Sequence, residues 1–219
     1  MRAMKAVCST ARLKRLPIIL GIVVLHGGAY YTVNALNSLR PPSAFVKFHT
    51  LVDGWIPFVG WTWIIYYLGD VYITIWASLI VWKLSDREFR KVVYSYIGMI
   101  LSGAFIQLAV PGKAPWPNHL NGAQTFIHNL ISMKPYACLP SMHVALTVLP
   151  ACLLFSSFRS TWVRAISTGM AVLITITTLT MKEHFFVDAL TGVLHGLVFF
   201  GLWRLSLKAR LQREQEELG

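Results

Sequence analysis

His184 and Asp188 stand four residues apart at the head of one apolar run, and Ser141 and His143 stand at the head of another. In a helix, residues i and i+4 share a face, so the Asp188 carboxylate can hydrogen-bond the His184 imidazole and fix its tautomer. Ser141, after Pro140 and before an apolar run, is placed as a helix N-cap. Such a cap leaves backbone N–H groups and the positive end of a helix dipole facing outward, where phosphate binds. Together these residues suit phosphoryl transfer without a metal. One histidine, oriented by a carboxylate on its far nitrogen, attacks phosphorus; the other protonates the departing oxygen; helix N-termini and lysines neutralise the phosphate oxygens.

Taken singly, a His-x-x-x-Asp and a Pro-Ser before a helix are ordinary structural features. Their conjunction at matching depth is what points to chemistry. Two imidazoles and a carboxylate are also a zinc donor set. No third histidine falls naturally into place, however: His119 and His128 lie in a polar loop, and His26 and His195 lie within apolar spans, where packing or hydrogen bonding is the plainer role. The expectation is therefore no metal and no cofactor.

The elements that must position these residues follow from composition. The 219 residues are 55% hydrophobic and only 13% charged, with a mean hydropathy of +0.56, too apolar for an ordinary soluble domain. The fold class expected is all-α, a polytopic membrane protein. A net charge of +11 would suggest nucleic acid in a soluble chain, but here the basic residues cluster between apolar runs, as cytoplasmic loops do, and nucleic acid is discounted. Cys8, Cys138 and Cys152 form no pattern of a disulfide framework or thiolate metal site.

Six spans are read at 16–36, 61–82, 92–110, 141–155 (extending to 158), 165–180 and 184–205. The first could also be a signal peptide, with Val33-Asn34-Ala35 resembling a cleavage site; its apolar length of about 20 residues favours a retained helix. Residues 37–60 form a loop with a short amphipathic piece at 45–52 suited to the interface. Asp70 lies inside the second span, where an ionisable side chain is functional or faces the bundle. Residues 111–140 are the longest polar segment. The organisation expected is a basic cytoplasmic N-terminus at 1–15, a six-helix catalytic domain at 16–205 and a charged cytoplasmic tail at 206–219.

Charge orients this map. With the N-terminus inside, fifteen Lys and Arg fall in 1–15, 83–91, 159–164 and 204–213, against five outside: Arg40, Lys47, Lys113, Lys134 and Lys182. Both termini are then cytoplasmic, and the second, fourth and sixth spans all begin at the outer face. Two parallel helix N-termini present His143 and His184 there.

These residues resemble the three blocks of the type-2 phosphatidic acid phosphatase superfamily: Lys-x6-Arg-Pro, Pro-Ser-Gly-His, and Ser-Arg-x5-His-x3-Asp. Pro140-Ser141-Met142-His143 looks like the second with Met for Gly, and His184 to Asp188 looks like the end of the third. The resemblance covers roughly 55–200 and implies a six-helix membrane bundle. It also implies His184 as the nucleophile forming a phosphohistidine, Asp188 as its orienting partner and His143 as the general acid. The arginine of the third block falls at Thr178, and the first block is absent. These departures are similar to the branch containing inositol phosphorylceramide synthases, with which Pro111-Gly112-Lys113-Ala114-Pro115-Trp116 and Trp55-Ile56-Pro57-Phe58 are also compared. Ser141, Lys113 and Lys182 are then the candidate substrate-binding residues, the two lysines as replacement cations or simply as interfacial residues.

The function expected is an integral membrane lipid phosphatase or phosphotransferase acting on a phospholipid or polyprenyl phosphate at the extracytoplasmic face. The alternatives are a phosphodiester headgroup transferase and a non-catalytic lipid-binding bundle. The partners implied are the bilayer and a membrane lipid.

Overall fold

The computed structural model describes residues 13–66, 68, 69, 71, 84–116 and 136–216, with side chains to 207. Among these residues the chain is helical and has no strand; one isolated bridge pairs Val46 with Gly112. The helices are α1 (Leu16–Ser38), α2 (Leu51–Trp55), α3 (Asp86–Ala109), α4 (Met142–Ser157), α5 (Thr161–Thr180) and α6 (Phe186–Glu216). Four stretches, α1, α3, α5 and Phe186–Leu207 of α6, are long and apolar enough to cross a membrane. The expected second span is helical at 63–66, 68, 69 and 71; its remainder, including Asp70, lies outside the described residues, as do His119, His128 and Lys134.

Helix α4 is the centre of the bundle. It has 16 residues, too few to span a hydrocarbon core of about 30 Å unaided, and most of it is buried. Leu149, Leu153 and Leu154 of α4 pack with Met99 and Ile100 of α3 and Trp203 of α6. The outward faces carry Leu20, Val24, Phe105, Trp162 and Val198, the apolar exterior that lipid requires. α6 approaches α4 through Gly192 and Gly196: a Cβ on Gly192 would stand 2.5 Å from the Ser141 carbonyl oxygen, and one on Gly196 3.0 Å from that of Ala145. Small residues four apart let two backbones come this close, the packing device of membrane helices.

Helix limits differ from the sequence reading at several points: α5 begins at Thr161 rather than 165, and α6 begins at Phe186 rather than 184 and runs on to Glu216 rather than 205. α3 begins at Asp86 rather than 92, because Ser85 and Glu88 form a capping box that recruits the charged connection into the helix. In the first loop a 3-10 turn forms at Pro42–Ala44 and α-helix only after Thr50, which makes a second capping box with Asp53; residues 47–50 take no regular structure.

The site end of the bundle is tied by side-chain amides. Asn37, in the last turn of α1, donates to the Gln107 and Tyr136 carbonyls at 3.1 and 2.9 Å. Gln107, in the last turn of α3, donates to the Pro140 carbonyl at 2.9 Å, and Asn34 accepts from the Tyr136 N–H at 3.0 Å. At the far end Arg15 donates to the Leu84 carbonyl at 2.9 Å, pairs with Asp86 and lies over Phe89.

Candidate active site

α4 opens with Ser141 as its cap, the hydroxyl accepting from the Val144 N–H at 3.4 Å. The Ser141 N–H donates to the Asp188 carbonyl at 2.9 Å, so the start of α4 sits on the first turn of α6. His143 follows at the second helical position, half-buried, with Nδ1 2.9 Å from the Tyr66 hydroxyl and the two rings 4.5 Å apart.

His184 precedes α6 and is 6% exposed; Asp188, in its first turn, is fully buried. The imidazole Nδ1 lies 3.6 Å from Asp188 Oδ2. Oδ2 also accepts from the Phe185 N–H at 2.9 Å. His184 Nδ1 and Asp188 Oδ1 are buried with no hydrogen-bond partner. Unsatisfied groups of this kind cost about 1–3 kcal/mol each, and a shift of well under 1 Å would bring the pair into hydrogen-bonding range. The pairing inferred from i and i+4 spacing is thus present as a close contact.

His143 and His184 line one open cleft. Tyr66, Gln107, Cys138, Met142 and Glu183 share its wall, and α1 contributes His26 and Tyr30. His26 thus lies on the site rather than being only a packing residue, because His26 and Tyr30 are one turn apart on a single face of α1. His195 behaves as expected for a mid-span histidine, its Nε2 donating to the Met99 carbonyl at 3.0 Å. Burial pushes the Cys138 thiol well up, and the Asp188 and Glu183 carboxylates push it the same way. A thiol held in that form is no competing nucleophile. Among the described residues no three His, Cys, Asp or Glu side chains are grouped to hold a metal ion.

The remaining sequence candidates are placed less directly. Lys113 is exposed, next to Ala114 on the cleft wall. Lys182 does not line the cleft: its ammonium donates to the Asp53 and Ile56 carbonyls at 3.0 and 2.6 Å. Its backbone sits in the left-handed region at φ 60°, which turns the chain sharply between α5 and His184. Thr178 is fully buried, with its hydroxyl bonded to the Thr175 carbonyl at 2.8 Å and its own carbonyl accepting from the Glu183 and His184 N–H groups.

The PAP2 superfamily of type-2 phosphatidic acid phosphatases matches residues 45–202. The chain belongs to the PAP2 superfamily. The matched stretch contains both histidines, and α1, with His26 and Tyr30, precedes it. In fold the chain resembles the crystal structure of Aquifex aeolicus LpxE, at 17% sequence identity and a TM-score of 0.50, over 80% of this chain and 93% of that one. No curated protein matches the sequence.

Sequence reasoning missed Asp53, Gln107, Glu183 and the Gly192/Gly196 pair. Thr50-x-x-Asp53 is a readable capping box and Gly192-x-x-x-Gly196 a readable close-packing motif. Glu183 carries no signal of its own; its contact with Trp116, whose indole N–H donates at 3.3 Å, joins segments 67 residues apart.

Proposed function

We propose that this PAP2 protein is an integral membrane enzyme that cleaves or transfers the phosphate group of a lipid through a phosphohistidine. The observation that carries the reading is that His143 and His184 line one cleft while buried Asp188 stands 3.6 Å from His184 Nδ1. Asp188 favours a proton on Nδ1, which leaves the Nε2 lone pair to attack phosphorus. A P–N bond forms as the P–O bond to the leaving group breaks. His143 supplies the proton that the leaving oxygen takes, with Tyr66 on its Nδ1 leaving Nε2 as the donor. Water or an alcohol then attacks the phosphohistidine, giving its proton to His143 as the new P–O bond forms and the P–N bond breaks to regenerate the His184 imidazole. The long His184 to Asp188 contact suits a free enzyme, since catalytic hydrogen bonds tighten when substrate binds.

In the same reading the phosphate meets the N-terminus of α4, with Ser141 as its cap. Lys113 is the remaining sequence candidate for a phosphate cation. The site faces the extracytoplasmic side, as the basic-residue distribution argues.

A headgroup transferase of the inositol phosphorylceramide synthase type is the second reading. It is favoured by buried Thr178 at the position of the family arginine, and by Lys182 being engaged on backbone carbonyls. A phosphodiester carries one negative charge fewer than a phosphomonoester and needs fewer cations.

The test is phosphate release from phosphatidate by the purified protein, with and without chelator. Release should persist in chelator and vanish in His184→Ala, and Asp188→Asn should lower kcat by orders of magnitude, as loss of the orienting carboxylate does elsewhere. Full activity in His184→Ala, or loss in chelator restored by zinc, would overturn the reading.

A further inference from the structure

The turn that carries His184 is held from outside its own helix. On one side the His184 N–H donates to the Thr178 carbonyl at 3.2 Å. On the other, the Phe186 N–H donates to Asp53 Oδ1 at 2.7 Å. Asp53 comes from the first loop, 133 residues away in sequence, and is 7% exposed. Its second oxygen accepts from the Thr50 N–H and hydroxyl, both at 2.7 Å. The contact returns in the other direction through Lys182, whose ammonium holds the Asp53 and Ile56 carbonyls. Two residues flanking His184 at distances of two positions, Lys182 and Phe186, are therefore clamped to the same five-residue helix.

We infer that Asp53 is a positioning residue for His184: with Lys182 it forms a brace by which the first loop fixes the imidazole against Asp188. The inference rests on the reading of His184 as nucleophile. A buried main-chain N–H left without an acceptor costs about 1–3 kcal/mol, so the α6 N-terminus would move to find water or another partner once Asp53 is removed. A displacement of 1 Å at a reacting group can cost about a hundredfold in rate. The brace also explains why Lys182, a candidate phosphate cation, does not reach the cleft: its ammonium holds the Asp53 and Ile56 carbonyls.

The test uses the full-length protein in detergent, with Asp53→Ala, Asp53→Asn and Lys182→Met. One readout is independent of turnover: the rate at which diethyl pyrocarbonate modifies His184, read by mass spectrometry with His143 as internal control. In Asp53→Ala that rate should rise several-fold at His184 and stay unchanged at His143. The second readout is phosphate release from dihexanoyl phosphatidate, where kcat should fall by roughly ten- to a hundredfold with KM within about twofold, because positioning rather than binding is lost. Asp53→Asn keeps an oxygen for the Phe186 N–H and should recover most of both losses. Lys182→Met should change both in the same direction, less strongly, and carries the test with Asp53→Asn if Asp53→Ala does not fold. Unchanged His184 modification and unchanged kcat across the variants would overturn the brace. So would equal loss in Asp53→Ala and Asp53→Asn. Absence of phosphate release by the unaltered protein would count against the phosphotransfer reading instead, and the modification rates would still decide the brace.

Discussion

The Ser141 N–H donates to the Asp188 carbonyl at 2.9 Å, so the helix bearing one histidine rests by its cap on the turn that carries the other histidine's carboxylate. That contact needs Gly192, one turn further along α6. Its Cβ position lies 2.5 Å from the Ser141 carbonyl oxygen and 3.2 Å from the Ser141 Cβ, and neither backbone can yield without moving a histidine.

Gly192→Ala should therefore cost about 1–3 kcal/mol, as overpacking does, and lower phosphate release along with the thermal midpoint in detergent. Gly201, on the same helix, has no heavy atom within 4 Å of its Cβ position. Gly201→Ala should be neutral or stabilising by up to about 1 kcal/mol, since alanine is the better helix former. Matching losses in the two variants would show that helix content rather than close approach governs the site.

Asp53 also sets a pH limit. Burial pushes its carboxyl up, but hydrogen bonds from Thr50 and Phe186 and the nearby His49 outweigh that and hold it below the usual carboxylate range. A depressed folded value means that the carboxylate stabilises the fold above the unfolded value near 3.9 and ceases to do so as the pH falls through the folded one. The difference in thermal midpoint between the unaltered protein and Asp53→Asn should stay level from pH 7 to 5 and shrink only below about pH 4. A difference that already fades near pH 6 would mean that another group controls it.

How much of this was legible in the sequence depends on the range of the interaction. Ser141 as a cap is a local relation and is present; His184 and Asp188, also close in sequence, stand 3.6 Å apart, although His184 lies just ahead of the helix. Four of the apolar spans, those read at 16–36, 92–110, 165–180 and 184–205, were legible because bilayer thickness sets their length. The fate of Lys182 was not: it is decided by carbonyls 126 and 129 residues distant, and charge at an interface looks the same in sequence whether it faces a ligand or a loop. That His26 faces the cleft was not legible for a related reason, since a span shows its face but not its neighbour. The helix start at Asp86 is readable from Ser85 and Glu88, whose capping box draws the charged connection into the helix.

Orientation is open to a direct test. Lys113 is exposed near the cleft, and Arg90 is exposed on the first half of α3, far from the cleft end where Gln107 lies. In a background free of native cysteines, Lys113→Cys should react with an impermeant thiol reagent in intact cells, and Arg90→Cys only after the membrane is opened. The reverse pattern would put the cleft on the cytoplasmic side and contradict the charge distribution.

Whether the second nucleophile is water or a lipid alcohol cannot follow from His184, since a phosphohistidine yields to either; the choice lies with the cleft that receives it. Met142 is 7% exposed and packs over Gly103 on the cleft wall, making the rim beside His143 more apolar than a glycine would. An apolar rim favours an acceptor with a hydrocarbon body over water. With a phospholipid labelled at phosphorus and a mixture of lipid alcohols in detergent, label should appear in a new lipid as well as in free phosphate. Met142→Gly should shift that partition toward free phosphate without abolishing turnover. Label found only in free phosphate, with Met142→Gly making no difference, would leave the protein a hydrolase and Met142 a packing residue.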